Sequence, residues 1–321
     1  MIPLVTIAVL SYKNLEYLNE CLDSIFSQTY SNIELIISND GADEFDEDVI
    51  ADEAGKMKSE NIKQIIINKN SRNLGTVKHC NILLDCSNGE YIIFIACDDT
   101  FNNNDVVKDM VGGFDCVSPD VMSIVGQTEM RTSDLSVCTE YFVSKKTQKL
   151  INELSPKDFY KNHLVQSSLF PSASRIFKKE CFKKYGKFDE SCFLIEDWTL
   201  SLSHAKQGMK TYYLDIIAIN HRAGGVSHSK IIKDSFAQKM FTLDMIKIME
   251  NSLMDYSVNT TTRDYVNNKR DFWVRSFFEI WGEGNLPAEL LESINLGIYL
   301  ANIGEQVEPS AQSKTRNDLT L

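Results

Sequence analysis

The sequence predicts an α/β fold with a Rossmann-like, mostly parallel sheet flanked by helices, and three observations carry that prediction. Short apolar runs rich in β-branched residues recur through the first hundred positions. Segments with helical spacing of apolar residues separate them. Polar residues rich in Asn, Asp and Gly follow each run at once. Strands alternating with helices are joined by crossovers that make neighbouring strands parallel. Such strands are buried on both faces, so they read as continuous apolar runs.

In chain order, Leu4 to Leu10 is the first strand. From Asn14, the residues Leu15, Leu18, Leu22, Ile25 and Phe26 recur at helical spacing. Ile33 to Ser38 is the second strand, about 44–58 a helix, Ile65 to Ile67 the third strand, Thr76 to Leu84 a helix and Tyr91 to Ala96 the fourth strand. The second half is less regular. Val121 to Gly126, Ser172 to Phe177 and Thr211 to Ile219 read as strands. Asp197 to Lys206 reads as a helix stopped by Gly208, with Trp198, Leu202 and Ala205 on one face. Beyond about residue 231 the pattern is helical, first through Phe236, Met240, Leu243, Ile246 and Met249, then through Phe272, Trp273, Phe277, Ile280 and Trp281. The expected organisation is an α/β domain over 1–228, divided into halves 1–115 and 116–228. A helical C-terminal extension over 229–309 and a polar, disordered tail over 310–321 follow.

Composition excludes several classes. The net charge of -12 argues against nucleic acid as a partner, because neutralising phosphates takes clustered Lys and Arg. The Lys145-Lys146-Lys149 run and the pairs Lys178-Lys179 and Lys183-Lys184 read as solvated faces. The eight Cys form no CxxC pair, which argues against a zinc ribbon or a thioredoxin-type site and suits reduced core thiols. With no leader peptide visible and no apolar run long enough to span a bilayer, a cytoplasmic protein is expected.

In open parallel sheets, ligands bind beyond the carboxyl ends of the strands. Those ends here are Ser11-Tyr12-Lys13-Asn14, Asn39-Asp40-Gly41, Asn70 to Gly75, and Cys97-Asp98-Asp99. Turns favour Asn, Asp and Gly for conformational reasons, so each of the first three alone says little. Asp98-Asp99 says more. Adjacent carboxylates after an apolar strand repel unless a cation or hydrogen bonds offset the repulsion, and hard oxygen ligands suit Mg²⁺ or Mn²⁺. Neither GxxxxGK[ST] nor GxGxxG is present, so no Gly-rich cradle holds phosphates.

In their order, Thr6 to Asn14, Glu20 to Tyr30, Ser38-Asn39-Asp40-Gly41, Asn73-Leu74-Gly75 with Asn81, Gly89 to Phe94 leading to Asp98-Asp99, Phe188-Asp189-Glu190 and Glu196-Asp197-Trp198 resemble the motifs of family 2 inverting glycosyltransferases of the bacterial polysaccharide, O-antigen and capsule type. The resemblance spans about 3–228. It implies the GT-A fold, with a nucleotide-binding first half and an acceptor-binding second half, and transfer of a sugar from a nucleotide-sugar, usually a UDP-sugar, to a saccharide or lipid-linked saccharide. It puts Asp40 on the base of the nucleotide, with Ser11, Tyr12 and Asn14 lining the same pocket. Asn73, Gly75 and Asn81 position the nucleotide, Asp98 binds the metal and the diphosphate, and Asp197 is the catalytic base. Glu196 and Trp198 fall beside the acceptor. The Gly-rich segment Asn220 to His228 resembles the loop that closes over the diphosphate, with His221 or His228 completing the metal shell and Arg222 binding phosphate.

Two positions depart from the family pattern. Ala96 stands where the metal motif often begins with Asp, and Cys80 precedes Asn81 where the family usually has Arg, leaving Lys78 or Arg72 as the cation near the diphosphate. These departures keep open a non-catalytic nucleotide-sugar binding protein. A sugar-phosphate nucleotidyltransferase requires a Gly-rich loop with Arg and Lys after the first strand, which Tyr12 to Leu15 does not supply. The aromatic stripe from Phe272 to Trp281 reads as core or as an oligomer contact, with peripheral contact at the inner membrane face as the alternative.

Overall fold

The computed structural model describes residues 2–224 and 236–281. Four strands open the chain: β1 (Val5–Ser11), β2 (Ile33–Asn39), β3 (Ile62–Lys69) and β4 (Tyr91–Ala96). Between them run helices α1 (Leu18–Phe26), α2 (Glu47–Met57) and α3 (Thr76–Cys86). All four strands are parallel, in spatial order β3-β2-β1-β4. Val5 pairs with both Ile33 and Tyr91, and Leu10 with both Ser38 and Ala96. β2 is buried along its whole length. That burial includes Glu34, whose carboxylate accepts Thr6 Oγ1 and both nitrogens of Asn88, each at 2.7 Å. This pins the turn that feeds β4.

The second half contributes β5 (Thr100–Phe101), α4 (Val106–Gly113), β6 (Val121–Arg131), β7 (Cys138–Tyr141), α5 (Lys145–Glu153), α6 (Pro156–Phe159), β8 (Arg175–Lys178), α7 (Glu180–Tyr185), α8 (Glu196–Lys206) and β9 (Lys210–Arg222). β8 runs antiparallel between β4 and β6, while β9 lies parallel to β6. The two-residue β5 and the edge strand β7 pair antiparallel with β9 and β6. The sheet is therefore parallel in its first half and mixed in its second. Its two faces carry two clusters, one around Ile7, Ile25 and Ile37, the other around Phe94, Phe177 and Trp198.

Several boundaries differ from expectation: β3 and β6 run longer, β8 begins only at Arg175, and two further differences lie beside the carboxyl edge of the sheet. β9 continues through Asn220, His221 and Arg222, so the Gly-rich segment leaves the sheet only at Ala223. Pairing with β6 as far as Arg131–Arg222 holds these three residues in the strand. α1 begins at Leu18 instead of near Asn14, because Asn14 to Tyr17 form a turn in which Asn14 Oδ1 accepts Glu16 N and Leu15 O accepts Leu18 N, each at 3.1 Å.

The helical C-terminal region holds α9 (Phe236–Leu253) and α10 (Thr260–Trp281). Met245, Ile248 and Met249 of α9 and Val266 of α10 join the same core cluster as Phe94 and Trp198. Within the aromatic stripe, Phe277 is buried, Trp273 packs on Phe241 and Phe272 stays exposed. No described helix is long and apolar enough to cross a membrane. The proposed boundary at 228, His228 and the tail from 310 lie outside the described residues.

Candidate active site

The parallel register brings the exits of β3, β2, β1 and β4 side by side along the carboxyl edge of the sheet. Backbone hydrogen bonds stitch these exits together: Asn70 N to Asn39 O, Asp40 N to Ser11 O, and Cys97 N to Leu10 O, each at 2.9 Å. Cys97 Sγ also reaches Asn14 O at 3.4 Å.

Asp40 is buried at the centre of this edge. Its carboxylate accepts Asn70 Nδ2 at 2.9 Å, Leu74 N at 3.0 and 3.1 Å, and Gly75 N at 2.9 Å, so it fixes the loop between β3 and α3. Asn73 caps the same Gly75 N–H from its Oδ1 at 2.9 Å. Glycine is needed at both ends of this grip. Gly41 (φ +78°) would put a Cβ 2.4 Å from the Arg72 carbonyl carbon, and Gly75 (φ +85°) would put one 2.5 Å from Phe193 O. Beside Asp40, the buried Ser11 hydroxyl donates to Ser38 O at 2.9 Å and accepts Asn39 Nδ2 at 3.0 Å. Tyr12 is exposed at the rim under Lys13. Asn14, also exposed, accepts Glu16 N on its Oδ1.

The adjacent acids after β4 separate completely. Asp99 is 2% exposed and takes His221 Nδ1 at 2.9 Å and Arg222 N at 3.1 Å. Asp98 is half-buried; its carboxylate takes a hydrogen bond from its own backbone N–H, and its carbonyl accepts Arg222 Nε at 2.9 Å. Burial, and then the Asp99 charge, raise the Asp98 pKa. Burial alone would lower the His221 pKa, but its hydrogen bond to Asp99 and the two carboxylate charges leave it raised. Arg222 is 3% exposed, bonded to Ser133 O and Glu20 and stacked 3.8 Å above the Tyr17 ring. This guanidinium, expected to meet phosphate, is committed to protein groups.

At the start of α8, Asp197 Oδ2 accepts Ser168 Oγ at 2.9 Å and its Oδ1 accepts Trp198 N at 2.6 Å. Burial raises its pKa; Ser168, the Trp198 amide and the Arg175 charge oppose the rise without cancelling it. Glu196 is raised by burial and then by the Asp197 charge. Two expected contact residues are placed otherwise. Trp198 is buried with its Nε1 on Leu164 O at 2.7 Å. Asn81 spends its amide on Phe188 O at 3.0 Å, Glu190 at 2.9 Å and Phe188 N at 3.1 Å. Lys78 lies 4.0 Å from Glu190 and Arg72 is exposed.

Asp244 of α9 escaped the sequence reading. It accepts Phe193 N at 2.9 Å, Leu194 N at 2.6 Å and Ile195 N at 3.1 Å, the three residues before Glu196. Phe193 O in turn accepts Val77 N at 3.2 Å, tying this loop to the start of α3. A signal was present: Asp244 stands four residues from both Met240 and Ile248 on an otherwise apolar helical face. Among the described residues, no three His, Cys, Asp or Glu side chains cluster as a ready metal site.

Comparison with known proteins agrees with this arrangement. The pattern of glycosyl transferase family 2 matches residues 6–165. An uncharacterized glycosyltransferase of Haemophilus influenzae is 36% identical over 97 residues, covering 30% of this chain and 28% of the relative. One from Rickettsia prowazekii is 24% identical over 205 residues, covering 62% of this chain and 57% of the relative. The chain thus spans well under two thirds of these relatives' lengths. Among solved structures, S. aureus TarS in complex with UDP-GlcNAc superposes with a TM-score of 0.56 at 16% identity, over 86% of this chain and 73% of that one. A mannosyltransferase from Pyrobaculum calidifontis, in complex with GDP-Man and Mn²⁺, gives 0.52 at 13% identity, over 94% and 81%. With the mixed sheet, the order of its motifs and the family match in agreement, the chain belongs to glycosyltransferase family 2 and has the GT-A fold.

Proposed function

We propose that the protein transfers a sugar from a UDP-sugar to a hydroxyl of a saccharide or lipid-linked saccharide, with inversion at the anomeric carbon. The observation that carries this reading is the presence of a half-buried carboxylate with a raised pKa at the β4 exit, Asp98, together with a hydrogen-bonded carboxylate at the start of α8, Asp197. Asp40, Ser11, Tyr12, Asn14, Asn73 and Gly75 form the nucleotide pocket along the edge between them. The donor bound by TarS supports the choice of UDP. The domain from 1 to 228 supplies both halves of this site, and the helices beyond it brace the second half through Asp244.

The residues present fit a divalent ion in one respect. Asp98 offers a carboxylate oxygen whose ionised form burial and Asp99 disfavour, and a cation would reverse that penalty. Asp98 would hold Mn²⁺ or Mg²⁺ there, and the ion would supply Lewis-acid stabilisation of the departing diphosphate. Ala96 removes the usual partner, and His221 presents Nδ1 to Asp99, so the site is thin in protein ligands. His228 is the remaining candidate.

In the transfer, the acceptor oxygen attacks the anomeric carbon as the bond to the diphosphate breaks from the opposite face. The nucleoside diphosphate departs with the bonding electrons. Asp197 takes the proton from the attacking hydroxyl, which is worth about 10²–10⁴ in rate for a positioned base. Its raised pKa makes it a stronger base than a free Asp, and Ser168 with the Trp198 amide holds its orientation. Glu196 meets the acceptor's other hydroxyls. Acceptors of this kind place the enzyme in the cytoplasm or at the inner membrane face.

The test is Asp197→Asn. UDP affinity by calorimetry should be unchanged and transfer from UDP-sugar should fall by about 10²-fold or more. Wild-type turnover in that variant would refute the assignment of the base. UDP binding without transfer in the wild type, across a panel of saccharide acceptors, would favour a non-catalytic binding protein.

A further inference from the structure

Arg175 of β8 is 2% exposed, and among the described residues no carboxylate forms an ion pair with it. Its guanidinium donates instead to three neutral hydroxyls. Nε and Nη2 reach Ser123 of β6 at 3.2 and 3.0 Å, Nη2 reaches Thr211 of β9 at 2.9 Å, and Nη1 reaches Ser201 of α8 at 2.9 Å. The ring centres of Phe170 and Phe177 lie 5.0 and 4.5 Å from the guanidinium carbon. A buried charge held only by neutral dipoles is costly, and an apolar side chain of similar volume often packs as well. That cost points to a use for the charge.

Two of these contacts lead to Asp197. The Ser201 hydroxyl that accepts Arg175 Nη1 itself donates to the Asp197 carbonyl at 2.6 Å, so the guanidinium braces the first turn of α8. Phe170 lies two residues after Ser168, whose hydroxyl donates to Asp197 Oδ2 at 2.9 Å. Arg175 therefore touches both segments that orient this carboxylate.

The charge points the same way. Burial lowers the Arg175 pKa to about 10, which leaves the guanidinium charged at neutral pH, and Cys181 and then Asp197 act against the fall. Burial raises the Cys181 thiol to about 12, so at neutral pH it is uncharged and Asp197 is the anion that answers Arg175. The other titratable groups facing Asp197 are Glu196 beside it, which burial and then the Asp197 charge raise to about 8, and Cys80 of α3, which burial raises well above the ordinary thiol range. Asp244 of α9 acts on Glu196. The α6 helix and the turn Tyr160–Leu164, also packed on α8, carry Lys157, Asp158, Lys161 and His163, and none of these is a main influence on Asp197.

Resting on the assignment of Asp197 as the transfer base, we infer that Arg175 is the positioning residue of that base. Through Ser201 and Phe170 it fixes where the carboxylate stands, and its charge, met elsewhere only by hydroxyls, stabilises the anion that receives the acceptor's proton. A general base works only in its ionised form, and a buried Asp with no cation near it keeps its own proton. The guanidinium, itself buried, acts through Asp197 and not on substrate.

The experiment is a carbon-13 NMR titration of the full chain with labelled Asp carboxyl carbons, paired with UDP release from a panel of UDP-sugars and saccharide acceptors. The Asp197 signal is the one lost in Asp197→Asn. In Arg175→Gln, which keeps hydrogen bonding, and in Arg175→Met, which keeps packing, its midpoint should rise by about one pH unit, the roughly tenfold gain in proton affinity expected when a nearby opposite charge is removed. The acid limb of kcat/KM should move up with it, with UDP affinity unchanged. Arg175→Lys keeps the charge but not the fork, and should leave the midpoint near wild type while lowering kcat. Ser201→Ala, which removes the bridge alone, should do the same. The inference alone is overturned if both neutral variants titrate and turn over like wild type, or if Arg175→Lys and Ser201→Ala keep the wild-type kcat; should neither neutral variant fold, these last two decide. Wild-type turnover in Asp197→Asn, or no transfer by the wild type, overturns the base itself and the inference with it.

Discussion

Truncating Asp244 to Ala removes the only side-chain acceptor described for three consecutive backbone N–H groups, those of Phe193, Leu194 and Ile195. Hydrogen bonds to a charged acceptor contribute about 1.5–3 kcal/mol each, but these three share one carboxylate and are not additive. Ile195 is buried, whereas Phe193 and Leu194 are half-buried and open to water after truncation. One N–H is then stranded and two are rehydrated, so the expected loss is about 2–4 kcal/mol. Burial raises the Asp244 pKa despite the three amides, so part of the gain from those bonds already offsets desolvation. Against a typical total of about 5–15 kcal/mol, Asp244→Ala should still fold. Urea denaturation checks the stability, and transfer kinetics check the function. Loosening the residues before Glu196 misplaces Asp197, and a shift on the order of 1 Å costs about 10²-fold in rate. Asp244→Asn keeps the shape and one good acceptor oxygen, and should lie between wild type and Ala on both measures. An Ala variant within about 0.5 kcal/mol of wild type, or an Asn variant as impaired as Ala, would refute the idea that this carboxylate organises the loop.

Gly75→Ala should cost about 2–4 kcal/mol in urea unfolding, because the new methyl meets Phe193 O at 2.5 Å and the residue holds φ +85°; a neutral result would mean that the loop is free to move. Asp98→Ala should weaken UDP binding in Mn²⁺ at least about tenfold and abolish the difference between Mn²⁺ and chelator, read by calorimetry; equal affinity in all four conditions rules out Asp98 as the metal residue. Glu196 should make stability depend on pH. Its native pKa is raised, so the folded chain keeps a proton that the unfolded chain releases near the ordinary value of about 4.3. That contribution is full below the unfolded value and is lost as pH rises through the raised native one. The thermal midpoint of wild type should fall across that window and the midpoint of Glu196→Gln should fall less; parallel curves would contradict the shift.

The first half of the fold was legible because each buried parallel strand needs an unbroken apolar run, and β1, β2 and β4 supply it. The strand-end rule then singled out Asp98, and the family resemblance added Asp40. What stayed hidden shares one cause, contact between residues far apart in sequence. Asn81 and Trp198 carry motif positions, yet their polar groups are spent on Phe188, Glu190 and Leu164. Ser168 reaches Asp197 from 29 positions away, inside an irregular stretch with no periodicity to reveal it. Asp244 lies about fifty residues from the loop it holds and showed only as an acid on an apolar face.

The division of work between Asp98 and Asp99 follows from β5, a strand too short to leave any pattern in the sequence. Thr100 pairs with Asn220 and Phe101 with Ile219, so the antiparallel register carries Asp99 to a place opposite His221. There Asp99 is buried and accepts both the His221 ring and the Arg222 amide, which anchors the end of β9 against the exit of β4. Arg222 completes the junction by donating to the Asp98 carbonyl and to Glu20 of α1. The repulsion expected between neighbouring acids is thus met on one side only, by groups that hold Asp99 in place. Asp98 keeps its carboxylate half-buried, and its own backbone N–H and the charges of His221 and Arg222 offset burial and the Asp99 charge only in part. A chain that spends one acid on fixing the strand end leaves the other as the position where added positive charge gains most, which is why we propose Asp98, and not its neighbour, as the residue that would hold a metal.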